Sequence, residues 1–364
     1  TGKSSAVIAA AELLRNHQGD KAVSLLLELG KQSEAAAAAP AGARLLALGE
    51  KLAWPLYPQL RNHPDPVLRA QAVELLYRMP QGENLTQLAD FLADEHPDVR
   101  QKARKSLLEL ATKRGLKKEI LIQGERLLAT DGWRAQEQAG ILLTDLDHKP
   151  ITPRLLALLS SKRPEVFVMA SWGLRKLAVK DTLPPILKIV EKEVITLRAG
   201  RRPGDVLDDV LLLTDYKLAH LIQFLGMERY EPALPILRKL IPQQGMTEIR
   251  ISETRAAGIW ALGMIYDGKL QKDLVPQLEG RIRAISSFPP EDPRVCGMAA
   301  ITLGRMSASE ALPTLKQYYT AGQYSQDIIN NSCGWAVTKI TGGPAPRVTP
   351  FRRQDLSLFL NALE

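Results

Sequence analysis

Aromatic and basic side chains recur at matching places between residues 172 and 339 of the sequence. Trp172, Trp260 and Trp335 each lie eight residues after the first residue of a recurring helical pattern. At roughly 100° per residue, that position points about 155° away from the centre of the apolar stripe. Basic residues follow on the same side of these helices, namely Arg175, Lys176, Arg305 and Lys339. We expect these side chains to form a groove on an inner, concave side of the protein.

A groove of this composition would bind its partner by charge and by stacking. Cationic side chains attract carboxylates or phosphates, and indole rings offer large flat surfaces for apolar or aromatic groups. The pattern therefore predicts an extended acidic protein segment as partner, with a nucleic-acid backbone as the alternative. A competing interpretation is that the tryptophans pack between neighbouring repeats, because large aromatic side chains are usually buried at least in part.

A second group of cations lies in the stretch RAGRRPGD, residues 198–205. Arg198, Arg201 and Arg202 stand there among glycine and proline, between two predicted long helices. Such a loop could clamp phosphate or an acidic partner, or it could be a solvated loop without a binding role.

Residues suited to catalysis or metal binding do not assemble into a site in this sequence. The five histidines include no HExxH pair, and Cys296 and Cys333 form no CxxC pair, so we expect two buried structural thiols. The opening residues TGKS resemble the end of a phosphate-binding loop but lack its glycine-rich first half and its preceding strand. We predict no enzymatic activity, no metal and no cofactor.

The elements that must position these residues are helices with a shared pattern, Pro-x-apolar-x-x-x-Ala-x-x-x-Leu-x-x-apolar. This spacing puts the apolar members on one stripe, and proline suits the first turn because its missing N–H would be unpaired there. Complete copies occupy residues 66–79, 97–110, 164–177 and 293–306, and partial copies end near residues 146, 265 and 340. Each copy follows a shorter helical stretch, so the repeating unit is a helix pair.

Two His-Pro-Asp tripeptides, beginning at His63 and His96, match the one that J-domain co-chaperones carry between two helices. They recur at corresponding places of the repeat, and aspartate and proline suit turns and helix starts. We interpret both as turns between helices.

The leucines of successive copies are separated by about 31 to 41 residues, which is typical of helical-repeat proteins. A wider interval between Leu174 and Leu262 leaves room for one longer pair, predicted at residues 182–198 and 206–227. The predicted fold is an all-α, right-handed superhelix of about eight helix pairs. We predict an N-terminal cap or degenerate repeat at 1–51, the array at 52–341, and a linker with a capping helix from Asp355 at 342–364.

Composition agrees with stacked helices. The chain of 364 residues is 45% hydrophobic but only 5% aromatic, and it carries a net charge of +8, which favours acidic partners. No apolar run approaches the roughly 18 residues of a membrane-spanning helix. With so few cysteines a reducing compartment is expected, and we predict a cytoplasmic location. The start at Thr1 rather than methionine is compatible with removal of an upstream segment.

The repeat resembles the HEAT family, and in particular short bacterial HEAT-like repeats. The resemblance is carried by the stretches HPDVRQKARKSLLEL, from His96, and PEVFVMASWGLRKL, from Pro164, and it extends over about residues 52–341. It implies an α-solenoid that serves as a non-catalytic scaffold for protein partners, because the motif is a packing pattern.

Other functions occur on similar solenoids and stay open at this point. HEAT-like DNA glycosylases place tryptophan and a carboxylate in the groove, but here aspartate and glutamate are missing from the inner positions near Trp260 and Trp335. A bilin lyase or chaperone has no support beyond the shared repeat. A membrane-coat-like scaffold, in which solenoids associate edge to edge, is a further alternative, and the oligomeric state cannot be read from the sequence.

Overall fold

The computed structural model describes residues 5, 9, 19–32, 34–199, 209–242, 251–319 and 328–344. Several predicted features lie outside the described residues: the TGKS start, Arg201 and Arg202 of the basic loop, and the helix from Asp355. Arg198 lies near the end of a described helix. The chain divides into two compact units, an N-terminal unit of Thr1–Ile151 and a C-terminal unit of Thr152–Glu364. The predicted boundaries at residues 51 and 341 stay predictions.

The described part of the N-terminal unit is built from helices and short 3-10 turns. Its α-helices are α1 Asp20–Gly30, α2 Ala35–Leu48, α3 Glu50–Ala53, α4 Tyr57–Arg61, α5 Pro66–Arg78, α6 Glu83–Asp90, α7 Pro97–Lys113, α8 Lys117–Leu128 and α9 Trp133–Asp145. From α4 onward they form three pairs, and the second helix of each pair packs against the second helix of the next. Leu68, Ala72 and Leu76 of α5 are fully buried by this stacking, as the shared pattern predicts.

The described part of the C-terminal unit continues the same plan with five pairs. Its helices are α10 Thr152–Leu158, α11 Pro164–Leu177, α12 Leu183–Ala199, α13 Asp209–Met227, α14 Leu234–Lys239, α15 Ser252–Ile265, α16 Val275–Arg283, α17 Pro293–Arg305, α18 Leu312–Gln317 and α19 Ile328–Thr341. Helices α12 and α13 are the long pair predicted between Leu174 and Leu262. The prediction of an all-α array with about eight helix pairs is confirmed over the described residues.

The second helices α11, α13, α15, α17 and α19 form one row, called here the second-helix row, in which each helix packs on the next. The first helices of the pairs pack on their own partners. Val295, Ala299 and Leu303 of α17 have no exposed surface, so the apolar stripe faces the core between the helices of each pair.

The second helices α5 and α7 each begin with a side-chain cap. The Asp65 carboxylate accepts a hydrogen bond from the Val67 N–H at 2.8 Å, and His96 Nδ1 accepts one from the Asp98 N–H at 3.3 Å. Both groups satisfy N–H groups that a helix start leaves unpaired. The first His-Pro-Asp tripeptide lies in the turn before α5, as interpreted. The second has only His96 in the turn, and its Pro97 and Asp98 are the first two residues of α7.

Buried ion pairs connect neighbouring repeats. These ion pairs were not predicted from the sequence. Arg69, three residues into α5, donates to the Asp94 carboxylate in the turn before α7 at 2.8 Å. Arg255 occupies the same place in α15 and makes two bonds of 2.7 and 2.8 Å to Glu291, before α17, with both side chains fully buried. Paired and hydrogen-bonded in this way, the charges can be buried, and they fix the register of one repeat on the next.

Candidate functional site

A cavity of about 570 Å³ opens on the second-helix row of the C-terminal unit. It spans four successive helices, α11, α13, α15 and α17. The side chains that line it are Trp172, Arg175, Lys176, Gln223, Met227, Trp260 and Met298. The cavity thus combines two indoles, two thioethers and two cations, a composition suited to an apolar side chain with a carboxylate beside it.

Glycines of the second-helix row determine where the indole rings lie. A Cβ added at Gly226 of α13 would approach Trp260 Cζ3 to 3.0 Å and Ala261 Cα to 2.8 Å. Gly304 of α17 has the same relation to the next helix, with Trp335 Cζ3 at 2.9 Å and Ala336 Cα at 2.8 Å. Each of these tryptophans therefore lies on bare backbone of the preceding second helix. One side of each indole ring packs against that backbone, and part of the ring remains accessible to solvent.

A third glycine completes this register. A Cβ at Gly263 of α15 would come within 2.7 Å of Thr302 Oγ1 in α17, so Ile301 takes the place that tryptophan takes in the other two contacts. The equivalent positions in the five second helices, called here the indole row, are Trp172, Gln223, Trp260, Ile301 and Trp335. Large indoles alternate along the row with smaller side chains. The cavity lies where Gln223 stands between Trp172 and Trp260.

The first interval of the indole row, from Trp172 to Trp260, is more polar than the second interval, from Trp260 to Trp335. Arg175 occupies the position that glycine holds in α13, α15 and α17, and its guanidinium donates a hydrogen bond to Gln223 Oε1. Lys176 Nζ lies 4.8 Å from the centroid of the Trp172 ring, within the range of a cation–π interaction. The positive charge at this end of the cavity is thereby held beside the indole.

The structure brings together four of the seven residues that were predicted for the groove: Trp172, Arg175, Lys176 and Trp260. The other three, Arg305, Trp335 and Lys339, lie farther along the second-helix row on α17 and α19 and do not line the cavity. Trp335 is 36% exposed, and Trp172 and Trp260 are half-buried, so each tryptophan combines packing with access to solvent. The two interpretations of the tryptophans are thus not exclusive.

Three lining residues were missed by sequence reasoning: Gln223, Met227 and Met298. The signal that would have found the row is a repeated tetrapeptide ending in Leu-Gly, which reads QFLG from Gln223, WALG from Trp260 and ITLG from Ile301. Its first residue falls in the indole row and its glycine receives the next helix. The pattern of tryptophans alone did not reveal the row, because α13 carries Gln223 and α17 carries Ile301 at the equivalent positions.

A buried polar cluster fixes the α13–α15 contact beneath the site. The Asp215 carboxylate of α13 accepts hydrogen bonds from the N–H groups of Glu253 and Thr254, at 3.0 and 2.8 Å, at the start of α15. Burial raises the pKa of Asp215 to about 7, although the bonds from Thr254 and Glu253 act in the opposite direction. Arg294 of α17 donates to Glu253 and to Ser252 Oγ, which ties a third helix into the cluster.

The two cysteines are buried and unoxidised, as predicted. Cys296 Sγ donates to the Arg281 carbonyl at 3.2 Å, and burial raises the pKa of its thiol to about 12. A thiol of that kind is a poor nucleophile at neutral pH. Among the described residues, no three His, Cys, Asp or Glu side chains converge as they would around a metal ion. None of the described helices is both long and apolar enough to cross a membrane.

Comparisons with known proteins agree with the fold of stacked helix pairs. The family model of HEAT repeats matches residues 54–119. Kap95p superposes on this chain with a TM-score of 0.52 at 16% identity, over 91% of this chain and 47% of Kap95p. In that structure, Kap95p binding induces the switch loops of RanGDP to adopt the GTP-bound conformation. Residues 54–119 are thus similar to HEAT repeats, and the chain has the α-solenoid fold of Kap95p.

Further comparisons concern the fold of this solenoid alone. The Kap95:Nup1 complex gives the same TM-score of 0.52 at 15% identity, again over 91% of this chain and 47% of the other. The solenoid therefore spans about half the length of Kap95p. An engineered protein is aligned over 94% of this chain and 95% of its own, at 16% identity and a TM-score of 0.42. Comparison with curated protein sequences finds no match.

Proposed function

We propose that this HEAT-repeat solenoid is a non-catalytic scaffold that holds an extended, acidic protein segment along the second-helix row of its C-terminal unit. The observation that carries the proposal is the cavity between Trp172 and Trp260, with Arg175 and Lys176 at one end. Kap95p, the similar solenoid, was studied with protein partners, in keeping with a protein-binding role.

The geometry suggests how such a segment would be held. An apolar or aromatic side chain enters between the two indoles and rests on Met227 and Met298, whose flexible thioethers adapt to its shape. A carboxylate on a neighbouring residue then pairs with Lys176, which is exposed at the rim. A buried aromatic anchor with charged flanks is the usual source of affinity and specificity in peptide recognition.

A protein segment fits the cavity better than the backbone of a nucleic acid. Two methionines and two half-buried tryptophans line it, whereas only Arg175 and Lys176 supply positive charge. Backbone recognition relies on many phosphate contacts, and its affinity falls steeply with salt. Binding of a short acidic peptide through one or two ion pairs should fall only modestly as salt is raised.

The test is fluorescence anisotropy with a labelled peptide that has one phenylalanine in an Asp/Glu/Ser background. We expect the wild-type protein to bind it, and expect Trp172→Ala and Lys176→Glu each to weaken binding by about tenfold or more, since hot-spot anchors contribute about 2 kcal/mol. Lys188→Glu is the matched control, because Lys188 is exposed on α12 and lies outside the cavity. It should leave affinity within about twofold, as expected for a remote surface charge.

Two further probes separate the alternatives. A peptide with lysine in place of each acidic residue should not bind, and a single-stranded oligonucleotide of equal length should bind more weakly than the acidic peptide. If Lys188→Glu and Lys176→Glu lowered the affinity equally, the net charge of the protein, and not contact with Lys176, would explain the loss, which would contradict the proposal. Tighter binding of the oligonucleotide, with a steep dependence on salt, would contradict the proposal and favour a nucleic-acid partner.

A further inference from the structure

The indole row continues beyond the cavity, and it repeats the same arrangement once more. Between Trp260 and Trp335 the row carries Ile301, just as Gln223 stands between Trp172 and Trp260. Ile301 is half-buried and Trp335 is exposed, so the second interval presents apolar surface as the first one does. The glycine contacts at Gly263 and Gly304 show that these positions are in register with the first interval.

Basic residues accompany the second interval as well. A Cβ at Gly263 would lie 3.2 Å from Arg305 Cδ, so the stem of Arg305 runs across the backbone of α15 towards this interval. Lys339 lies one turn after Trp335 on α19, the same spacing that places Lys176 beside Trp172 on α11. None of the indole-row positions, nor the residues three and four places after them, is aspartate or glutamate. Both intervals therefore favour acidic ligands.

We infer that the partner segment is held at two subsites, the cavity over Gln223 and a second subsite over Ile301 between Trp260 and Trp335. This inference rests on the proposed function and specifies the ligand further. The two subsites are two helix-packing steps apart, which is about 16–20 Å at roughly 8–10 Å per step. An extended chain advances about 3.3 Å per residue, so this distance corresponds to about five or six residues between the two anchor side chains.

Both anchors of an extended ligand can face the indole row only if their positions differ by an even number of residues along the chain. Side chains at positions i and i+6 of a strand-like segment point to the same side, whereas i+5 and i+7 point away. The preferred partner is therefore an acidic segment with two apolar or aromatic anchors at i and i+6. Residues beside the anchors can be acidic, because Lys176, Arg305 and Lys339 each lie about one helical turn after a position of the indole row.

The experiment compares peptides of identical composition by fluorescence anisotropy. One peptide has phenylalanines at i and i+6 in an Asp/Glu/Ser background; two others have the second phenylalanine at i+5 or i+7; a single-anchor peptide carries serine there. We expect the i,i+6 peptide to bind at least about tenfold more tightly than the single-anchor peptide, because the second contact becomes intramolecular. The i+5 and i+7 peptides should resemble the single-anchor peptide.

Protein variants separate this inference from the proposed function. Trp335→Ala and, independently, Lys339→Glu should abolish the advantage of the i,i+6 peptide while single-anchor binding stays unchanged, with the helical circular dichroism of each variant as folding control. If single-anchor binding depends on Trp172 but all two-anchor peptides bind alike and Trp335→Ala has no effect, the second subsite is wrong and the proposed function stands. If single-anchor binding does not depend on Trp172, both are wrong.

Discussion

At the scale of single residues, the polar groups of the C-terminal unit are used for positioning. Arg255 and Glu291 are completely buried and joined by two hydrogen bonds, and Asp215 receives the first N–H groups of α15. Such groups cost free energy to desolvate, and they are tolerated because each is paired. Their role here is to hold α13, α15 and α17 in the register that places the indoles.

The buried carboxylate of Asp215 makes stability depend on pH. Its pKa in the folded protein is raised to about 7, above the ordinary value of 3.8, so the folded state binds the proton more tightly than the unfolded state does. This contribution to stability is present below about pH 4 and is lost as pH rises through 7. Each unit by which the pKa is raised corresponds to about 1.4 kcal/mol.

We therefore predict that the free energy of unfolding of the wild type, relative to Asp215→Asn, falls as pH rises from 4 to 8. Urea unfolding at a series of pH values measures this, and the difference between the two proteins cancels groups that titrate alike in both. A difference that is constant with pH, or that grows as pH rises, would mean that the hydrogen bonds from α15 keep Asp215 ionised and its pKa low.

At the scale of elements, close contact between second helices sets the position of the indole rings. Gly226→Ala should destabilise the protein by about 1–3 kcal/mol, since a methyl group there meets both the Trp260 ring and the α15 backbone. It should also weaken binding of the acidic peptide by displacing Trp260. The measurements are urea unfolding and anisotropy on the same variant.

Gly280→Ala is the matched control for this substitution. Gly280 lies inside α16, and a Cβ there meets nothing within 4 Å, so alanine should stabilise the helix by up to about 1 kcal/mol and leave peptide binding unchanged. Equal effects of the two substitutions on stability would show that glycine at position 226 is not needed for the close approach of α15.

The helices and their apolar faces could be predicted from sequence because proline starts and the Ala–Leu stripe mark them locally. Trp172, Arg175, Lys176 and Trp260 were placed together for the same reason. The cavity itself could not be predicted, because it depends on Gln223 of α13, a helix that lacks the proline start and also has Leu221 where the pattern has alanine. Its register follows from the contact of Gly226 with Ala261, which is a tertiary contact between residues far apart in sequence. The ion pairs Arg69–Asp94 and Arg255–Glu291 escaped prediction for the same reason.

At the scale of the whole molecule, stacked repeats present a long series of side chains rather than one enclosed active site. Each helix pair contributes a few exposed residues at fixed intervals. Under the proposed function, recognition is distributed along the row and favours an extended ligand. The net charge of +8 adds long-range attraction for acidic partners, and that attraction weakens with salt. In the proposed mode of binding, specificity depends on the indoles and on the spacing between them.

The measurement that tests the central claim most directly is photocrosslinking of an acidic peptide whose phenylalanine is replaced by benzoylphenylalanine. Benzophenone reacts readily with methionine side chains, and Met227 and Met298 line the cavity. Mass spectrometry of the digested product should locate the crosslink at Met227 or Met298, and excess unlabelled peptide should suppress it. Crosslinks on the first helices α10, α12 or α14, or in the N-terminal unit, would contradict binding between Trp172 and Trp260.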